Sequence, residues 1–166
     1  MIDLGIELSN STLITSKTDL QGRITYCNKD FIQYSGFSEQ EVFGKPHNIV
    51  RHQDMPRVVF KTLWKYIRNG EEVFAFVKNK TKDKQYYWVL ANVTPSLDAN
   101  NNTIGYYSVR RKPNPKAIEK IIPLYAAMVA AEKTSLEASE ALLNTILNEQ
   151  NLPYNEWIFS MQENLA

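Results

Sequence analysis

Cysteine is almost absent from the 166 residues: Cys27 stands alone. An internal disulfide and a cysteine-rich zinc site are therefore excluded, and stability has to come from burial or from a bound ligand. Long hydrophobic runs are missing too. No stretch approaches the roughly 18 to 20 apolar residues of a membrane span, and the opening MIDLGIELSN carries two acids and no basic region, unlike a signal peptide. The expected location is cytoplasmic. Charge of one sign is also lacking, with 19 Lys and Arg against 18 Asp and Glu. A net charge of +1 gives none of the basic footprint that nucleic-acid binding requires. What remains, 43% hydrophobic and 22% charged residues, describes one globular domain with a core and an extension.

The order of elements follows from periodicity. Leu13 to Lys17 and Arg23 to Asn28 are short β-rich runs around the turn DLQG, a hairpin. Ser38 and Glu41 have capping-box spacing, and Gly44 stands where that short helix should stop. Val59, Leu63, Trp64 and Ile67 mark one face of a longer helix between Pro56 and Gly70. VFAFVKNKT, YYWVLANVTPSL and IGYYSVRRKP then read as a three-strand meander. Two strands, short helices and three strands imply an α+β fold, a five-stranded antiparallel sheet with helices over one face and a cavity between the layers.

The last third is helical. Asn114 can cap a helix whose first turn holds Pro115, and Ile118, Ile121, Ile122, Tyr125 and Val129 form its stripe. Pro123 should kink it. Leu136, Leu143, Ile146 and Leu147 ask for a partner face, supplied by this domain, a second copy or another protein. A final helix capped near Asn155 would dock through Trp157, Ile158 and Met161. The expected divisions are an N-terminal cap segment 1–12, a sensor domain 13–113, a helical segment 114–150 and a short helix or tail 151–166.

Chemistry concentrates in GKPHNIVRHQDMPR, Gly44 to Arg57, which holds both histidines. A histidine pair five apart with an aspartate two further on is not a standard ligand spacing, so no metal site is expected. His47, beside Pro46, reads as a cap for the next short helix. The residues themselves leave open whether Arg51, His52 and Asp54 cradle a ligand or stabilise a polar loop.

The string DLQGRITYCNKDFIQYSGFSEQEVFGKPHNIVRHQDMP, with FKTLW, VKNKTKDKQYYWVLANVTP and IGYYSVRRKP after it, resembles the FAD-binding PAS domain of the Aer type over about Asp19 to Pro113. That resemblance implies a PAS fold, noncovalent FAD and a redox sensor without substrate turnover. It further implies a place in energy taxis (aerotaxis), with signalling through the C-terminal helices to a separate membrane-bound chemoreceptor at the inner membrane face, and a possible homodimer. The family's binding residues map onto Asn28, Arg51, His52, Asp54, Phe60, Trp64 and Asn79. Each is chemically suited to the role: Arg51 is a permanent charged fork, His52 donates or accepts by tautomer, and Asn79 offers donor and acceptor from one amide. Trp64 and Phe60 would give a ring flat apolar surface. Where the family carries tryptophan, this chain has Val73. Two other readings stay open, a heme sensor ligated by His47 or His52 and a cofactor-free interaction adaptor. A flavin oxidoreductase would need an acid or base, for which only His52 offers itself.

Overall fold

The computed structural model describes residues 2–163. β1 (Ile14–Thr18) and β2 (Ile24–Cys27) form the expected hairpin. The Asp19 carboxylate accepts the Gln21 and Arg23 amides across the turn, and Gly22 supplies the positive φ of 81°. Asn28 caps α1 (Lys29–Ser35), and Ser38 with Glu41 closes a capping box on α2 (Glu39–Val42). A 3-10 turn at His47–Val50 leads to α3 (Arg57–Arg68), which starts after Pro56. The meander is β3 (Val73–Lys80), β4 (Tyr86–Leu97) and β5 (Thr103–Arg111). The five strands lie in the order β2-β1-β5-β4-β3, all antiparallel.

The pleat sorts side chains between two faces. Ser16, Val77, Asn79, Ala91, Tyr106, Ser108 and Arg110 face α3 and the 3-10 turn. Phe76, Trp88 and Leu90 face the other way and are buried. Three helices cover that second face: α4 (Pro115–Glu132), α5 (Leu136–Gln150) and α6 (Tyr154–Glu163). Tyr125 of α4 packs on Trp88 with ring centres 6.1 Å apart, and Phe159 of α6 lies 4.4 Å from Phe74. The apolar stripes of the C-terminal third are thus taken up by the chain's own domain. Ile118, Ile121, Tyr125, Leu143, Trp157, Ile158 and Met161 are all buried.

One expectation for this region, the cap at Asn155, needs correction, and the helical segment 114–150 gains detail. The helical run through 150 is broken at Lys133 to Ser135, because the Ser135 hydroxyl accepts the Ala138 amide and starts a new helix. Alanine-rich surroundings hide that cap in the sequence. Pro123 sits inside α4 without ending it; it is exposed, so water can reach the carbonyl its missing N–H leaves unpaired. Asn155 does not cap α6. Its side chain accepts the Phe74 amide at 3.0 Å and donates to the Glu72 carbonyl at 3.1 Å.

Asn155 belongs to a wider arrangement along β3, the edge strand. The outward backbone groups of alternate β3 residues are taken one after another by neighbouring elements. Phe74 N–H goes to Asn155, Phe76 C=O accepts the Tyr125 hydroxyl at 2.7 Å, Lys78 N–H goes to Met55 Sδ and Lys78 C=O accepts the His52 amide. A covered edge is closed to pairing with another strand. Tyr125→Phe removes one of these partners and leaves a buried carbonyl unpaired. Urea unfolding of that variant is expected to show a loss of about 1–3 kcal/mol.

Candidate functional site

A cavity of about 230 Å³ lies between α3, the 3-10 turn and the inner sheet face. Its α3 wall comes from residues three and four apart, Phe60, Leu63, Trp64 and Ile67. Leu63 and Trp64 are only half-buried because their helix face opens on this space. Trp64 meets Tyr106 edge-on at 5.4 Å between ring centres. Behind this flat apolar surface, the Arg51 guanidinium sits 3.5 Å from the centre of the Phe60 ring, a cation–π contact. Arg51 and Asn79 are brought side by side by an isolated backbone bridge between the end of the 3-10 turn and β3.

The other end of the cavity is polar. Arg110 of β5 is 4% exposed, and burial pulls its guanidinium down to about 10. Its Nη2 donates to Ser16 Oγ at 2.7 Å and to His47 Nε2 at 2.6 Å. Since an arginine can only donate, Nε2 is the acceptor and His47 carries its proton on Nδ1. His47 is held neutral, with its pKa lowered to about 3 by burial first and by Arg110 and Arg51 next. Among the described residues no carboxylate pairs with Arg110. Three buried polar atoms on the cavity wall also have no hydrogen-bond partner: Arg51 Nε, Arg110 Nη1 and Ser108 Oγ. Two can only donate, so the arrangement suits a flat heterocycle carrying acceptor atoms, one face against Trp64 and its polar edge toward the arginines.

Of the residues expected to form the site, the structure gathers Arg51, Phe60, Trp64 and Asn79 around the cavity. Asn28, His52 and Asp54 lie off its wall. Asn28 spends its amide on the β1–α1 junction, accepting from Thr15 and Phe31 and donating to Leu13. Backbone extended at Arg51 turns the next side chain the opposite way, so His52 packs edge-on against Tyr86 and accepts the Asp54 amide. Asp54 pairs with Lys78 at 2.7 Å, and that hydrogen bond lowers its pKa. Val73 and Cys27 are buried away from the lining. Of the two histidines, His47 Nε2 is engaged by Arg110 and Ser16, while His52 lies off the cavity wall.

His47 and Arg110 line the cavity although neither is among the expected flavin-binding residues. His47 was expected to cap the short helix, but that turn has no side-chain cap and the imidazole lines the cavity instead. Arg110 resembles a strand-end charge in SVRRKP. The period-2 alternation Tyr106, Ser108, Arg110 on one face was the signal that places it inward.

A sequence profile of the PAS fold matches residues 7–111, and the chain belongs to the PAS fold family. It is 39% identical to the aerotaxis receptor of Escherichia coli K12 over 136 residues, 82% of this chain and 26% of that protein. That similarity is longer than the stretch the PAS profile matches. The biofilm dispersion protein BdlA of Pseudomonas aeruginosa is 25% identical over 92 residues, 52% of this chain and 21% of that protein. The chain thus spans about a quarter or less of these relatives. Among solved structures, a light-oxygen-voltage domain studied with a flavin analogue superposes with a TM-score of 0.59 at 18% identity, covering 67% of this chain and 83% of that one. A PAS domain from Colwellia psychrerythraea gives 0.56 at 21% identity, covering 60% and 85%. These structural likenesses show the fold. The PAS profile and the aerotaxis receptor place the chain among PAS sensor domains related to signalling receptors.

The neutral His47 carries a pH signature. Unfolded, it binds a proton near 6.5; folded, it resists protonation down to about 3. Between those values the unfolded state binds more protons, so stability falls as pH drops from about 6.5 toward 3. Urea midpoints measured from pH 8 to 4.5 should decline, and His47→Gln should remove part of that slope.

Proposed function

We propose that this chain is a redox sensor that binds FAD noncovalently, with the flavin ring in the cavity, and serves energy taxis by signalling to a membrane-bound chemoreceptor through its C-terminal helices. The observation that carries the reading is the set of unpartnered buried donors, Arg51 Nε and Arg110 Nη1, on residues that line the same cavity as Trp64. Identity of 39% to an aerotaxis receptor supports the same cofactor class and output. Among the described residues no helix is long and apolar enough to cross a membrane.

When bound, FAD supplies a ring that is reduced and reoxidised reversibly and changes its protonation as it does so. The chain's residues do the reading. Arg51, Arg110 and Ser108 would satisfy acceptor atoms at the ring's polar edge, and Asn79 can present either the oxygen or the nitrogen of its amide. A change in which it presents would shift β3, whose opposite edge is bonded to α4 and α6. Trp64 and Leu63 exclude water from the ring face. His47, neutral and locked by Arg110, orients that guanidinium rather than exchanging protons.

Flavin retention tests the assignment. Arg51→Ala and Asn79→Ala should each raise the dissociation constant for FAD by about tenfold or more, the loss of one or two buried hydrogen bonds. Gln33→Ala, on the exposed side of α1, should leave it unchanged. Equal affinity in all three variants would remove the cavity from the account.

A further inference from the structure

The cavity is walled by α3 on one side and by the sheet, β3 included, on the other, and the C-terminal helices are bonded to both α3 and β3. α3 begins after Pro56 with no side-chain cap of its own and no acidic residue in its first turn. Its cap comes from elsewhere in the chain. Glu132, at the end of α4 and with a side chain only 9% exposed, accepts the Val58 amide at 3.0 Å. It also accepts the Ser139 hydroxyl of α5 at 3.2 Å and stands 3.8 Å from the Arg57 guanidinium. A carboxylate there satisfies an orphan donor and the positive end of the helix together. Lys61 and Glu140 add a second pairing between α3 and α5.

The opposite wall is held by the same helical unit. Asn155 of α6 bonds both Phe74 N–H and Glu72 C=O on the outer edge of β3, the strand that turns Val77 and Asn79 into the cavity. The unit itself is closed on both ends. Ser139 joins α5 to Glu132, while Gln162 at the end of α6 accepts the Asn114 amide and so ties α6 to the start of α4.

We propose that α4 to α6 form a clamp across the cavity, with Glu132 and Asn155 as positioning residues that set the separation of α3 and β3. Occupancy of the cavity and docking of the helices are then one linked equilibrium. A ligand that fixes the wall separation tightens both ends of the clamp, and loosening either end weakens the ligand by the same factor. This rests on the proposed binding of FAD only for the identity of the ligand; the linkage between the walls does not need it.

Residue-resolved hydrogen exchange on the full chain tests the proposal, first without added flavin. Glu132→Ala is expected to speed exchange of the Val58 amide and, across the cavity, of the Phe74 amide by about tenfold. Asn155→Ala should do the reverse, reaching from Phe74 to Val58. The Tyr107 amide in the centre of the sheet should be unaffected, which separates a clamp from general loss of stability. Glu132→Gln keeps an acceptor oxygen and should restore most of the protection. With FAD added, both amides should slow, and both alanine variants should release FAD about tenfold faster. Effects confined to the amide each variant directly contacts, or spread equally to Tyr107, would overturn the clamp. A wild-type protein that binds no flavin would end the proposed function while leaving the cross-cavity exchange to decide the clamp.

Discussion

A guanidinium buried without a carboxylate is an expensive thing to fold around, by several kcal/mol before its hydrogen bonds are counted. Arg110 is in that position, and much of the inner face is arranged about it. Ser16 and His47 each take a bond from Nη2, and the Phe31 ring lies 5.7 Å from its central carbon. His47 can serve as acceptor only while neutral, which Arg110 and burial themselves enforce. Nη1, with both its N–H groups, still has no partner. The cavity lies directly beside it, with Arg110 on its wall.

The same geometry explains why the site is divided between two chemistries. α3 crosses the sheet with its apolar stripe inward, so the wall it forms is flat and aromatic. β5 runs antiparallel to both β1 and β4, and its inward positions bring Ser108 and Arg110 beside Ser16. Neither element alone specifies a pocket. Their separation does, and it is fixed by helices on the far face through Tyr125, Asn155 and Glu132. The C-terminal third is therefore part of the frame that holds the cavity.

Much of this was legible in the sequence where local physics dominates. The hairpin at DLQG, the Ser38–Glu41 box, the Pro56 start of α3 and the Asn114–Pro115 start of α4 all appear where turn and cap chemistry put them. The aromatic wall was readable from helical spacing, and Arg51 and Asn79 from the family resemblance. What escaped was decided by tertiary placement. Asn155 and Glu132 look like helix-terminal polar residues, yet each bonds backbone more than 70 residues away in the chain. His52 and Asp54 adjoin Arg51 in sequence, but an extended backbone sends them to the Lys78 and Tyr86 side. Arg110 was hidden because charge argues for solvent until the strand's face is known.

The most direct test is the visible absorption spectrum of the purified protein, followed by heat release and chromatography of whatever it holds. A flavin spectrum with FAD as the released compound is what the account predicts, because the unpartnered donors and the aromatic wall are then both accounted for by one ligand. A colourless protein after expression with ample flavin, or a released heme, would contradict it and leave Arg110 without the partner the cavity implies.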